Sequence, residues 1–190
     1  MKKSLTLALT SAVILFSTFS HAAKTEKAVL AGGCFWCMES DFEKLEGVTD
    51  VISGFTGGKL KNPTYNGNHK GHYEAVEITY DPAIVSYQGI LDHYWVNIDP
   101  FDAKGQFCDK GYSYRSVAFY KFEFEKDLIN KSVLNIEKKF DKKIVTYIRK
   151  FDKFYEAERH HQNYYKENFI NYLMYKNGCG RVKILEKIWN

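Results

Sequence analysis

Cys34 and Cys37 form a C-x-x-C pair directly after the Gly32-Gly33 turn. At a helix start, unpaired amide N–H groups and the positive end of the helix dipole favour an anion. A cysteine placed there is expected to hold its thiolate and act as a nucleophile. Cys37 falls one turn along on the same side, so the two sulfurs can close a disulfide. Trp36 lies off the apolar stripe of the segment and reads as a pocket wall, with packing against a nearby loop as the alternative. Glu74 shares the more apolar row of a strand with Val76, Ile78 and Tyr80. A carboxyl at the end of a buried row keeps its proton nearer neutral pH, as a general acid must. Tyr65 and Tyr112 to Tyr114 can donate to a polar oxygen while offering a ring to an apolar group. Asp109, beside Cys108, adds a second acid. His160 and His161 read as surface residues.

Other chemistries fit these residues less well. Zinc held by Cys34, Cys37, Cys108 and Cys179 lacks the second close cysteine pair that a ribbon site uses. A thioredoxin-like disulfide exchanger would use Cys34 and Cys37 but has no need of Glu74. A secreted binding module with an aromatic pocket would need neither. No phosphate-cradling glycine loop, histidine-based metal motif or serine triad is present.

These residues must be positioned by a small framework. The chain has 190 residues, 45% hydrophobic, 26% charged and 16% aromatic, which excludes disorder and suits one domain. Four cysteines are too few for a disulfide scaffold. Residues 27–30 read as a strand, and Phe35, Met38, Phe42 and Leu45 trace one helix face. The glycine-rich stretch 53–71 reads as a long irregular loop of the functional kind. Tyr73 to Tyr80 is a strand. Tyr87, Ile90, Leu91, Tyr94, Trp95 and Ile98 mark a helix, and 101–113 is a second loop. Strand 115–120, a helix through Ile129 to Phe140, strand 144–148 and a helix over 156–170 complete the order. Cys179, between two glycines, is expected in a mobile tail. Helices on a single sheet are the economical way to bury such faces, giving a two-layer α/β or α+β domain.

The first residues have a separate purpose. Lys2 and Lys3, an apolar run from Leu5 through Phe19 and Ser20-His21-Ala22 are the three parts of a secretory signal. The expected mature domain is 23–190 after cleavage near Ala22, exported to the periplasm or secreted. Removing the two lysines lowers the formal net charge from +4 to +2. Basic residues such as Lys138, Lys139, Lys142 and Lys143 are interleaved with acids, so a nucleic-acid partner is not indicated.

Gly33-Cys34-Phe35-Trp36 resembles the catalytic motif of the peptide methionine sulfoxide reductase A family. Gly54-Phe55-Thr56-Gly57-Gly58, Asn62-Pro63-Thr64-Tyr65, Gly71-His72-Tyr73-Glu74-Ala75-Val76, Asp99-Pro100, Tyr114-Arg115-Ser116 and His161-Gln162 follow in the family's order. The resemblance implies an α+β two-layer sandwich with a ferredoxin-like core and long loops. It implies reduction of the S epimer of methionine sulfoxide, free or in oxidised proteins, which is the lesion this enzyme class repairs. It makes Cys34 the nucleophile and Glu74 the acid, with Phe35 and Trp36 gripping the substrate methyl. Tyr65, Asp109, Tyr114 and Tyr164 then orient the substrate. The implied turnover passes through a Cys34 sulfenic acid and a disulfide with Cys37 or Cys179. Cys37 is the favoured resolver and Cys108 a bystander. No metal or organic cofactor enters; an external thioredoxin-like dithiol supplies electrons. The chain departs from the family's common pattern at Cys37, where glycine is usual, and at Phe55, Phe101 and His160. It also lacks a double-cysteine tail.

Overall fold

The computed structural model describes residues 24–190, so the expected signal segment lies outside the described residues. In chain order the elements are β1 (Glu26–Ala31), α1 (Phe35–Phe42), β2 (Val48–Thr56), β3 (Tyr73–Tyr80), α2 (Tyr87–Val96), the two-residue strands β4 (Gly105–Gln106) and β5 (Asp109–Lys110), and β6 (Val117–Tyr120). They continue with α3 (Glu123–Phe140), β7 (Tyr147–Lys150), β8 (Phe154–Glu156), α4 (Tyr164–Glu167), α5 (Phe169–Gly178) and α6 (Arg181–Trp189).

Six strands form one sheet in the order β7-β6-β1-β3-β2-β8. The pairs are antiparallel except β6 with β7. The central four strands with α1 and α2 make the β-α-β-β-α-β unit of a ferredoxin-like core, as the sequence resemblance implied. From Ala28 to Ala31 β1 is a continuous apolar run because both its faces are covered there. Ala28 and Leu30 pack under the helices with Met38, Phe42, Ile90, Leu91 and Ile129. Val29 and Ala31 face the other way, with Tyr73, Ala75, Val117 and Phe119, under Phe151 and Phe154.

Three expectations need correction. Residues 53–56 are strand, not loop: β2 runs to Thr56 and pairs with β3 from Val48↔Tyr80 to Thr56↔Tyr73. Gly54 looked like a turn signal, but its smallness serves a close approach. A Cβ there would lie 2.3 Å from the Tyr155 carbonyl of β8. Segment 156–170 is not one helix. It leaves β8, makes a short 3-10 turn at Arg159–His161, then the single turn of α4. Gln162 explains the extended part: its amide accepts from Ser53 N–H at 2.9 Å and donates to the Ser53 carbonyl at 2.9 Å. A side chain thus stands in for one more residue of strand pairing.

Third, Cys179 is not in a loose tail but between α5 and α6. The Arg181 side chain is 2% exposed and Asp41 on α1 is 9% exposed. Arg181 Nη2 donates to Asp41 Oδ2 at 2.8 Å and to the Asn97 carbonyl at 2.6 Å. Lys176 reaches the other Asp41 oxygen at 3.1 Å, and Trp189 Nε1 donates to the Ile98 carbonyl at 3.1 Å. A buried ion pair adds little over an apolar substitute, but removing one partner strands the other charge. Arg181→Ala is therefore expected to destabilise the fold by about 3–5 kcal/mol, seen as a lowered urea midpoint. Adding Asp41→Asn should restore part of the loss.

Candidate active site

The β1–α1 turn sets the site. Gly33 takes a left-handed φ of +88°, and a Cβ on it would lie 2.7 Å from Gln106 Cβ. Glycine alone fits there, and the turn delivers Cys34 as the N-cap of α1. Its carbonyl accepts from the amides of Cys37 at 3.1 Å and Met38 at 3.3 Å. Cys34 and Cys37 are free thiols, 7% and 2% exposed. Their side chains are within hydrogen-bonding reach of each other.

Burial pushes the Cys34 thiol up, with Cys37 and Glu74 adding to the effect. This differs from the thiolate expected on sequence grounds. α1 is eight residues long, and desolvation beside two other acidic groups outweighs its short dipole. The hydrogen bond from Cys34 draws Cys37 down instead, and the Arg181 charge assists. Of the two thiols, Cys34 is therefore the one that holds its proton more firmly.

Glu74 points into the same place from β3. It is fully buried, on the helix-covered row with Val76, Ile78 and Tyr80. Phe35 N–H, the amide following Cys34, donates to Glu74 Oε2 at 3.2 Å. Oε1 has no protein partner. Burial raises this carboxyl to about 8, against the lowering effect of the Phe35 amide. The Tyr114 hydroxyl is within reach of Glu74, and the Tyr65 hydroxyl within reach of Tyr114.

Aromatic rings wall the site. Trp36 stacks on Tyr164 with centroids 3.8 Å apart and planes 10° from parallel. Tyr65 lies 6.1 Å from Trp36 and 5.8 Å from Phe35. Trp36 is thus a wall residue that also faces the loop after β2. His161 completes the box. It is 3% exposed, not a surface residue. Its Nδ1 accepts from Trp36 Nε1 at 3.2 Å, which puts its own proton on Nε2. Burial lowers its pKa and keeps the ring neutral. His160 remains exposed and lines a surface cavity of about 660 Å³ with Arg159, Gln162 and Asn163. That cavity contains none of the thiols or Glu74, so the chemistry is elsewhere.

The wall is pinned from behind. Glu39 on α1 accepts from Asn163 N–H at 2.7 Å and from Ser53 Oγ at 3.0 Å, and burial raises it to about 7. Glu158 accepts from the Tyr65 amide at 3.1 and 3.3 Å. Residue types alone gave no signal for Glu39, Glu158 or His161. Tyr175 was also missed: its hydroxyl donates to Asp109 Oδ2 and is within reach of Cys34. Its position four residues before Cys179 was the available hint.

Cys108 and Cys179 are bonded to each other, with Cα atoms 4.9 Å apart. Cys108 is therefore paired rather than free, and Cys179 has no free thiol in this state to resolve an intermediate on Cys34. The four sulfurs do not gather into one cluster; among the described residues, Cys108 and Cys179 adjoin only the Asp109 carboxylate as a further metal-type ligand. A separation of 71 residues leaves no local pattern by which such a pairing is read from sequence.

A free cysteine at a helix start beside a second thiol, a buried carboxyl raised to about 8 and an aromatic box suit a thiol-dependent reductase. The chain belongs to the peptide methionine sulfoxide reductase family, whose profile spans residues 26–190. It is 45% identical over 169 residues to the peptide methionine sulfoxide reductase MsrA 2 of Staphylococcus aureus strain MW2, covering 86% of this chain and 96% of that protein. The reduced form of Mxr1 from Saccharomyces cerevisiae superposes with a TM-score of 0.72 at 26% identity, over 83% of this chain and 93% of that one. Mxr1 in complex with Trx2 shares the fold at a TM-score of 0.50 and 18% identity, over 78% and 91%. The activity is methionine sulfoxide reduction. At pH 7 the Glu74 carboxyl should carry its proton; difference infrared spectroscopy against Glu74→Gln should show a protonated carboxyl band that disappears as pH rises through about 8.

Proposed function

We propose that this chain reduces the S epimer of methionine sulfoxide, free or in oxidised proteins, through a sulfenic acid on Cys34 that Cys37 resolves. One observation carries the reading: the amide beside Cys34 is hydrogen-bonded to Glu74, so nucleophile and acid face one point. The unpartnered Oε1 of Glu74 is the group left to meet the sulfoxide oxygen. The methyl group fits among Phe35, Trp36, Tyr65 and Tyr164. Tyr114 supports Glu74, and Asp109 acts through Tyr175. With oxygen held at Glu74, methyl in the box and Cys34 attacking the sulfur, only one hand of the sulfoxide sends its remaining substituent out to solvent.

As Cys34 attacks, its proton passes to Cys37 and the Glu74 proton to the sulfoxide oxygen. The substrate sulfur gains two electrons and leaves as the thioether, while Cys34 gains the oxygen as a sulfenic acid. Cys37 then displaces that oxygen as water and forms the Cys34–Cys37 disulfide, leaving Glu74 ionised. Sulfur carries both electrons, so the scheme contains no metal or organic cofactor. A thioredoxin-like dithiol returns the electrons; the complex of Mxr1 with Trx2 supports a partner of that class. The basic start, apolar run and Ala22 support export to an oxidising compartment.

Cys34→Ser should abolish reduction of a methyl sulfoxide in the presence of dithiothreitol; persistence of activity would overturn the scheme. Glu74→Gln should lower kcat/KM by about 10²- to 10⁴-fold. The working form of Glu74 is protonated and exists below its pKa. In the wild type kcat/KM should therefore decline as pH rises through about 8, and the Gln variant should lack that decline.

A further inference from the structure

Cys37 is surrounded by groups that the steps above leave unused. On α1 it shares one face with Ser40 and Asp41, and all three are buried. Helices α5 and α6 close over that face. Lys176 of α5 and Arg181 of α6 hold the two Asp41 oxygens. Tyr172, one turn before Lys176, is 3% exposed, and its hydroxyl is within reach of both Cys37 and Ser40.

That hydroxyl closes no hydrogen bond among the described residues, and neither does the buried Arg181 Nε. Leaving a buried donor unpaired is costly. A thiol is a weak acceptor, whereas a thiolate on Cys37 would take the Tyr172 proton in a charge-assisted hydrogen bond. Ser40 Oγ accepts from Lys44 Nζ at 3.1 Å, so its own proton can turn to the Tyr172 oxygen and the Tyr172 proton to the sulfur. Burial raises the Tyr172 hydroxyl, which keeps it a donor across the neutral range. The remaining neighbours of Cys37 divide. Cys34 donates to it, and Arg181 and Lys176 favour its thiolate; burial and Asp41 oppose that form. Glu74 and Tyr175 hold their own protons near neutral pH and bring no charge.

We propose that Tyr172 is a further catalytic residue, whose hydroxyl donates a hydrogen bond to a Cys37 thiolate beside the buried Arg181 charge. This rests on the reading that Cys37 resolves the Cys34 sulfenic acid. The hydroxyl acts twice. In the free site it holds Cys37 ionised, ready to take the proton that Cys34 sheds on attacking the sulfoxide. In resolution the Cys37 proton leaves with the Cys34 hydroxyl as water. The S–O bond breaks and the S–S bond forms, with the Cys34 sulfur reduced and the Cys37 sulfur oxidised. Negative charge that builds on Cys37 as its proton departs is met by Tyr172.

The test is a titration. Protein with Cys108–Cys179 intact and the inner thiols reduced is followed by thiolate ultraviolet absorbance, with Cys37→Ser as the blank. The step that the blank lacks should fall below the ordinary cysteine value of about 8.5. Tyr172→Phe keeps the ring and should move that step up by about one to two pH units. In a single turnover with a methyl-sulfoxide peptide, dimedone-reactive Cys34 should last about 10-fold longer in this variant. A step unmoved by Tyr172→Phe overturns the proposal, whatever the variant's urea midpoint, and so does a low step that survives in Cys37→Ser. A second measurement needs no substitution. Carbon NMR of the cysteine Cβ atoms should show Cys37 titrating below Cys34, and the reverse order overturns the proposal. A wild-type turnover that yields no Cys34–Cys37 link in mapped peptides overturns the resolver reading instead, whatever the titration shows.

Discussion

The site depends on one carboxyl group being kept out of water. Glu74 sits on the buried row of β3, opposite Phe55 of β2, and is covered by the start of α1. An ionised carboxylate in that position would be costly, and a single amide contact from Phe35 does not offset the burial. The group therefore stays protonated near neutral pH. The same enclosure pushes Cys34 up, so the free site contains a protonated thiol and a protonated acid. In the proposed scheme both protons are moved as the sulfoxide is consumed. On that scheme reactivity comes from placing these groups around the substrate rather than from a permanently ionised nucleophile.

Such placement requires walls that do not shift. Trp36 is fixed on one side by Tyr164 and on its edge by His161. The segment supplying both partners has little regular structure of its own. It is fixed by side chains from the framework: Gln162 continues the β2 edge, and Glu39 draws Asn163 onto α1. An irregular segment held by buried polar side chains can approach a substrate more closely than a regular helix or strand could. The cost is that each of those polar groups must find its partner when buried.

What could be read from sequence follows the range of the interactions. The stripe Phe35, Met38, Phe42 and the alternation of β3 are local periodicities, and both stand in the structure with the faces expected. The placing of Cys34 after a glycine turn is local too. The failures are contacts across the fold. Gly54 reads as loop because its close neighbour, the Tyr155 carbonyl, is about a hundred residues away in chain order. His161 reads as superficial because the rings that bury it, Phe35, Trp36 and Tyr65, lie about a hundred or more residues away in the chain. The pairing of Cys108 with Cys179 and the hold of Arg181 on Asp41 have no sequence signature beyond the residues themselves. Even the Cys34 thiolate was a local inference, from helix polarity, that the surrounding desolvation reversed.

The grip of Arg181 on Asp41 also bears on when the site comes into existence. Asp41 lies 140 residues earlier in the chain, on the helix that opens with Cys34, and its buried carboxylate is met by Arg181 of α6 and Lys176 of α5. During synthesis α1 therefore emerges long before its main counter-charge. Until then burying Asp41 would leave its charge unpaired, which favours keeping it in water. The paired thiols would thus acquire their enclosed surroundings among the last events of folding. Before that they are ordinary cysteines of an open chain.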